Sequence, residues 1–331
     1  MKKLTVIMPV YNGELYIEEA INSLQNQTFS DFDLIILNDN SSDSTVSIIE
    51  KIKANDDRII LINKTKNEGP ANLRNEGIDI AQTEYIALLD ADDIALPTRF
   101  EKQINVLDNN PKIGLCGTWF TIFGDKKEKI LKHSEKHENL KVQFLHSCGL
   151  GNSTVMFRKT MIGNLRFEHQ YVPAEDYGLW SEFIAKSEFY NIPESLVRYR
   201  WHSGNISQTK EENLRIAEVA IKKRQLEQLE ISSQDENSIY YVNAVSLKRK
   251  QSAEDIIKTI KASKVLKQKN EKLNIYNHTI FCKHIDRMII RTIRNSKEYN
   301  LAFYKFIKNE SDYFNKIKTL DKVIFYLKCV F

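Results

Sequence analysis

Three carboxylates stand within four residues at Asp90-Ala91-Asp92-Asp93, an arrangement that repels itself unless a cation or a donor-rich ligand offsets the charge. A hard divalent ion, Mn2+ or Mg2+, suits such a cluster, because one or two carboxylates hold it while phosphate oxygens and water complete its shell. The alternative is an acidic turn ahead of the helix that follows Pro97. In Asn38-Asp39-Asn40-Ser41-Ser42-Asp43, Asp39 can accept hydrogen bonds from a base or a ribose, while Ser42 or Asp43 is enough to cap the next helix. The stretch Asn67-Glu68-Gly69-Pro70-Ala71-Asn72-Leu73-Arg74-Asn75 sets a turn and a helix start before Arg74. That placement suits anionic oxygens, and a surface arginine is the plainer reading.

The elements that must carry these residues alternate. Residues 4–9, 32–37, 59–62 and 85–89 read as strands. Between them Ile17, Ala20, Ile21 and Leu24 mark one helix face, Val46, Ile49 and Ile52 a second, and residues 72–81 form a third helix. Unbroken apolar runs such as Leu34-Ile35-Ile36-Leu37 belong to strands buried on both faces, so the pattern predicts an α/β fold with a mainly parallel sheet and flanking helices. Ligands bind such sheets beyond the carboxyl ends of the strands. The polar clusters at 11–13, 38–43 and 90–93 fall there. Residues 113–123, 153–157 and 196–201 read as later strands, 175–186 as a helix, 124–139 as a charged loop or insertion, and everything from about 207 as helical.

Met8-Pro9-Val10-Tyr11-Asn12, the Asp39 block and Leu88-Leu89-Asp90-Ala91-Asp92-Asp93, in that order, resemble the family 2 glycosyltransferases with a GT-A fold, over about residues 4–205. The resemblance implies that the backbone of Pro9, Val10, Tyr11 and Asn12 and the carboxylate of Asp39 hold uridine, with Arg74, Asp90 and Ala91 also in the donor site. It implies that Asp92 binds the metal. Ala174-Glu175-Asp176-Tyr177-Gly178-Leu179-Trp180 matches the family's Glu-Asp motif, whose Asp removes the acceptor proton; the plain alternative is two acids favouring a helix start by about 0.3–1 kcal/mol. A positioned base of this kind is worth a factor of about 10² to 10⁴. Tyr199-Arg200-Trp201-His202 with Ser207 is similar to the ending of non-processive members, in which the His joins the metal. Gly149-Leu150-Gly151-Asn152-Ser153-Thr154 resembles the acceptor-side stretch, so Asn152, Ser153, Glu175 and Trp180 are assigned there.

By this resemblance the chain is an inverting, metal-dependent enzyme moving a hexose or N-acetylhexosamine from a UDP-sugar to a glycan or an undecaprenyl-linked sugar in bacterial surface-glycan synthesis. A sugar-nucleotide pyrophosphorylase needs a glycine-rich phosphate loop after its first strand, and Tyr11-Asn12-Gly13-Glu14 is not one. A carbohydrate-binding protein that has kept the fold without activity would have no use for Asp92, Asp176 and His202. No Gly-x-Gly-x-x-Gly follows a strand, which removes a dehydrogenase.

Composition sets the remaining bounds. Of 331 residues 42% are hydrophobic and 28% charged, the balance of a globular chain. No run approaches the 18 or so apolar residues of a membrane span. The four cysteines lack the short spacings of a zinc or disulfide framework, which fits a reducing cytoplasm. Residues 232–331 hold 20 Lys and Arg against 10 Asp and Glu, leaving 28 against 34 in the rest. We expect a catalytic domain over 1–205, with a nucleotide-sugar half at 1–120 and an acceptor half at 121–205, and a helical, basic region over 206–331. That region either is a solvated surface or meets an anionic membrane, with Phe325, Tyr326, Leu327 and Phe331 entering it. A nucleic-acid partner would leave the strand-end acids without a purpose.

Overall fold

The computed structural model describes residues 2–246 and 250–330. By its contacts the chain forms two compact units, residues 1–140 with 148–217, and residues 141–147 with 218–331. The first runs β1 (Leu4–Val10), α1 (Ile17–Gln25), β2 (Phe32–Asn38), α2 (Thr45–Lys53), β3 (Ile59–Asn63), α3 (Pro70–Ile80), β4 (Tyr85–Leu88), β5 (Ile94–Ala95) and α4 (Arg99–Asn109). It continues through β6 (Ile113–Gly124), β7 (Lys129–Leu131), α5 (His137–Gln143), β8 (Met156–Arg158), α6 (Lys159–Ile162), α7 (Glu175–Phe183), β9 (Glu188–Trp201) and α8 (Ile206–Thr209), with the end of α5 falling in the second unit.

Nine strands form one sheet in the order β3-β2-β1-β4-β8-β6-β9-β5, with β7 on β6. β1 lies between β2 and β4, and the strands from β3 to β4 are parallel, so the loops after Val10, Asn38, Asn63 and Leu88 open at one edge. On one face Leu4, Val6, Met8 and Val10 pack with Ile17, Ile21 and Leu24 of α1 and Phe100 and Leu107 of α4. On the other, Ile7 meets α3 at Gly77, where an added Cβ would lie 2.7 Å from Ile7 Cγ2.

Beyond β4 the sheet is mixed rather than parallel: β8 is antiparallel to β4 and β6, β5 to β9 and β7 to β6, while β6 and β9 run parallel. The 153–157 strand resolves into a 3-10 turn at Asn152–Thr154 and then β8. β9 begins at Glu188, not at 196. Its register on β6 jumps between Ile192 and Ser195, leaving Pro193 and Glu194 bulged out where a residue with no N–H does no harm. The charged stretch 124–139 contributes β7 and the start of α5.

The second unit contains most of α9 (Glu211–Leu226), then α10 (Glu236–Ser246), α11 (Ala253–Leu273), α12 (His278–Arg294), α13 (Leu301–Asn309), α14 (Ser311–Phe314) and α15 (Thr319–Val330). Phe281, Ile285, Ile289 and Ile293 form the inner stripe of α12 and pack in one core with Val142, Leu145, Ile256, Ile260, Phe303 and Phe325. Side chains of Ser252, Asn277 and Asn300 cap α11, α12 and α13. Phe325 therefore faces inward, against the expectation that it enters a membrane, and Phe331 lies outside the described residues. Among the described residues no helix is long and apolar enough to cross a membrane.

Candidate active site

The loops after β1 and β2 are tied to each other. Asn12, at φ 49°, donates its N–H to Ser41 Oγ at 2.8 Å and accepts from the Ser42 N–H at 2.9 Å through Oδ1. Gly13 N–H donates to Thr45 Oγ1, Glu14 N–H to Asp43 Oδ2, and Ser44 N–H to Glu14 Oε2, all within 3.1 Å. Asp43 thus latches the loops as well as accepting the Thr45 N–H at the start of α2. Tyr11, between these two tied loops and β1, is 56% exposed. Asp39 is buried, and its two carboxylate oxygens accept the N–H groups of Glu68 and Gly69 at 2.7 and 2.9 Å. Its first duty is to hold the loop before α3 against the end of β2.

Arg74 leaves α3 into a buried position between two acids. Nη2 donates to Asp90 Oδ1 at 2.7 Å and Nη1 to Glu175 Oε1 at 2.8 Å, a use of the planar fork that lysine cannot reproduce. Burial works against its charge, but the carboxylates of Asp90 and Glu175 more than offset that and raise its pKa. Arg74 is therefore occupied by protein carboxylates, where the sequence expectation had it facing a ligand's oxygens. Glu175 is likewise buried on Arg74 and not presented to an acceptor. Trp180 is fully buried between Phe157 and Phe167, with ring centroids 5.6 Å from each, and belongs to the core. Ser153 is buried too, and its hydroxyl accepts the Asp90 N–H at 3.1 Å; Asn152 is half-buried in the turn beside it.

β5 is only two residues long, yet its antiparallel pairing with Val197 and Arg198 of β9 carries the end of β9 to the acidic loop. There His202 Nε2 lies 3.0 Å from Asp92 Oδ2. The Gly204 N–H lies 3.2 Å from His202 Nδ1; with its proton on Nε2 the neutral ring donates to Asp92, and with its proton on Nδ1 it offers Nε2 to an ion. Asn205 completes the turn: its Oδ1 accepts the His202 N–H at 2.7 Å and its Nδ2 reaches Asp92 Oδ2 at 3.4 Å. Burial and the neighbouring charge of Asp90 raise the Asp92 pKa, against the pull of His202. Asp93 is fully buried, accepts the Arg200 N–H at 2.8 Å, and has its pKa pushed well up by burial and by Asp92 and Asp90. It braces β9 and is out of reach of an ion.

Asp92 and His202 fit a hard divalent ion as one carboxylate and one imidazole, the small protein share that Mg2+ or Mn2+ takes when a diphosphate supplies the rest. Among the described residues no group of three or more His, Cys, Asp or Glu side chains converges on one point. Asp176 opens α7. Burial, then the charge of Glu175, push its pKa up to about 7, against the Tyr177 N–H, which donates to Oδ1 at 2.7 Å, and against Arg74. A carboxyl group poised near neutrality is matched to moving a proton at ordinary pH.

Residues 5–166 match the family model "Glycosyl transferase family 2". An uncharacterized glycosyltransferase of Haemophilus influenzae is 32% identical over 280 residues, covering 80% of this chain and 83% of that protein. The chain is a family 2 glycosyltransferase. Another relative, the Escherichia coli protein named UDP-Glc:alpha-D-GlcNAc-diphosphoundecaprenol beta-1,3-glucosyltransferase WfaP, is 30% identical over 213 residues, 63% of this chain and 82% of its own. Among solved structures, S. aureus TarS residues 1–349 in complex with UDP superposes with a TM-score of 0.58 at 16% identity, covering 88% of this chain and 90% of that one. The fold is GT-A, a mixed sheet with flanking helices followed by a helical C-terminal region.

In this glycosyltransferase the residues Asp90, Asp92, His202, Arg74, Glu175 and Asp176 come together, Asp92 and His202 meeting across 110 positions of chain. The side chain of Ser207 lies outside the described part of the structure. Sequence reasoning missed Asn205, whose signal was an Asn three residues after a His in a glycine turn, and it missed Glu14, Ser41 and Thr45, whose roles appear only once two loops meet.

Proposed function

We propose that this glycosyltransferase moves a hexose or N-acetylhexosamine from a UDP-sugar to an undecaprenyl-diphosphate-linked sugar, by one displacement that inverts the anomeric centre. The observation that carries the reading is the Arg74 fork: it bonds Asp90, of the loop that holds Asp92, and Glu175, the neighbour of Asp176, so the carboxylates assigned to ion and base flank one arginine. The reaction named for the E. coli relative supports UDP-glucose as the first donor to try and a lipid-linked acceptor.

Tyr11 stacks on the uracil, with the ends of β1 and β2 and the Asp39-braced loop forming the floor beneath it. Asp90, Ala91 and the Arg74 pair shape the ribose and diphosphate side. Mg2+ or Mn2+ held by Asp92 and His202 would neutralise charge gathering on the departing diphosphate. Asp176 accepts the proton of the acceptor hydroxyl at Oδ2, since Oδ1 already receives the Tyr177 N–H, and the hydroxyl oxygen attacks from the face opposite the leaving group. The half-buried turn at Asn152 borders the acceptor. A pyrophosphorylase is disfavoured because the loop after β1 is not glycine-rich and its N–H groups at Asn12, Gly13 and Glu14 are bonded to the β2 loop.

The test is UDP release from a panel of UDP-sugars with and without Mn2+, for wild type and Asp176→Asn, with background hydrolysis as the readout where the acceptor is lacking. Metal-dependent release from one sugar names the donor. Absence of both release and metal-dependent UDP binding, or retention of anomeric configuration in the product, overturns the proposal.

A further inference from the structure

The last helix is built inside out. α15 rests on its own unit through Phe325 and Cys329, which are 5% and 6% exposed, with the Phe325 ring against Tyr299, Phe303 and Tyr304. The opposite side of a surface helix is normally polar. Here it carries Leu320, Val323, Ile324, Leu327 and Val330, exposed by 71, 51, 42, 45 and 39%. At about 100° per residue these five fall in an arc of about 120° facing directly away from Phe325 and Cys329. The stripe is contiguous and, at a few hundred Å², of the size that marks an interaction surface.

Its surroundings decide what covers it. Residues 300–330 hold six lysines, no arginine and three acids. Two of those acids, Glu310 and Asp321, are already paired with Lys264 and Arg294. Lys305, Lys308 and Lys318 are exposed and have no acidic partner among the described residues, and Lys328 borders the stripe. A second copy laid stripe to stripe would set one lysine-rich segment against another with hardly an unpaired acid between them. An anionic lipid surface satisfies both features at once, taking the apolar side chains at its acyl boundary and the ammonium groups among its phosphates. On α12, Lys283, Arg287 and Arg291 recur at four-residue spacing as exposed cations and add to the positive field of this unit.

We propose that α15 docks in the plane of an anionic bilayer, with Leu320, Val323, Ile324, Leu327 and Val330 inserted. This deepens the proposed function, resting on it only for the lipid-linked acceptor that such docking would bring within reach.

The experiment is flotation of the full-length protein with vesicles of phosphatidylcholine alone and of phosphatidylcholine mixed with phosphatidylglycerol, at low and high salt. We expect wild type to float with the mixed vesicles in a salt-sensitive way. The variant Leu320→Ser/Val323→Ser/Leu327→Ser, its fold checked by thermal melting, should bind about tenfold more weakly or worse. Lys305→Gln, Lys308→Gln and Lys318→Gln should each weaken binding to the mixed vesicles by about fivefold and leave pure phosphatidylcholine unaffected; these three keep the test decisive should the serine variant melt early. Wild type that stays in the protein fraction, serine and lysine variants that float as well as wild type, or a concentration-dependent dimer abolished by the serine substitutions each overturn the proposal. UDP release by background hydrolysis should be equal in wild type and the serine variant. Vesicle binding without release would strike the glycosyl-transfer reading alone, and release without vesicle binding would strike the docking face alone.

Discussion

Replacing Asp176 by asparagine should make the protein more stable above neutral pH while abolishing transfer. The ordinary aspartate pKa is 3.8 and this one stands at about 7. A span of roughly three units is worth about 4 kcal/mol at about 1.4 kcal/mol per unit, and partial access of water to the carboxylate brings the expected figure to about 2 kcal/mol. An acid whose folded pKa is raised holds its proton more tightly folded than unfolded. Its contribution therefore destabilises the fold progressively as pH climbs from about 4 to about 7 and stays constant above that. Asparagine keeps the shape and the bond from the Tyr177 N–H but cannot ionise. Urea unfolding of both proteins at about pH 4 and about pH 8, following the unit that contains the site, should give a small difference at the lower value and a variant about 2 kcal/mol more stable at the higher. Transfer should fall by a factor of about 10² to 10⁴ with UDP binding retained. A variant no more stable than wild type at pH about 8, or a difference that ignores pH, would refute the argument that burial beside Glu175 shapes this group.

Arg74→Met strands the buried Glu175 and the half-buried Asp90 and should cost about 3 kcal/mol by urea denaturation, with Arg74→Lys intermediate because one ammonium cannot span both carboxylates. Glu175→Gln removes the neighbouring charge that lifts Asp176, so the acidic limb of the kcat/KM profile should move below about 7, by roughly one unit. Asn205→Ala loses the bonds to the His202 N–H and Asp92 Oδ2, and calorimetry should find metal-dependent UDP binding about tenfold weaker with little change in the melt.

Which parts of the molecule were legible follows from what each strand touches. β1, β2 and β4 are buried on both faces, so their apolar runs announce them. β7 is an edge strand paired only with β6, and edges carry lysine and stay partly exposed, so Lys129-Ile130-Leu131 looked like loop. β9 was half hidden because Pro193 breaks its pattern where the register slips. Residues 141–147 gave no signal of belonging elsewhere, since Val142 and Leu145 read as any apolar pair until the core of the second unit is seen around them. At the site, residue types were readable but their partners were not. An arginine beside a helix start looks the same whether it awaits a phosphate or, as Arg74 does, lies between two carboxylates.

That ambiguity has a consistent resolution. The polar residues at the strand ends fall into two kinds. Asn12, Asp43, Asp39, Arg74, Glu175, Ser153 and Asp93 are committed to bonds within the protein, most of them joining one loop to another. Asp92 and Asp176 are half-buried and each keep one oxygen outside the hydrogen bonds of the described residues, whereas Glu175 Oε2 and Asp93 Oδ2, also without a partner among them, are buried, and Tyr11 keeps its ring exposed. Committed groups hold the open ones in place before a substrate arrives, which lowers the reorganisation that binding and reaction would otherwise require. The division separates the variants by what they should lose. Substitution in the committed set acts through stability and position, as with Arg74, while substitution of the open carboxylate Asp176 leaves the fold intact or stronger and removes the chemistry.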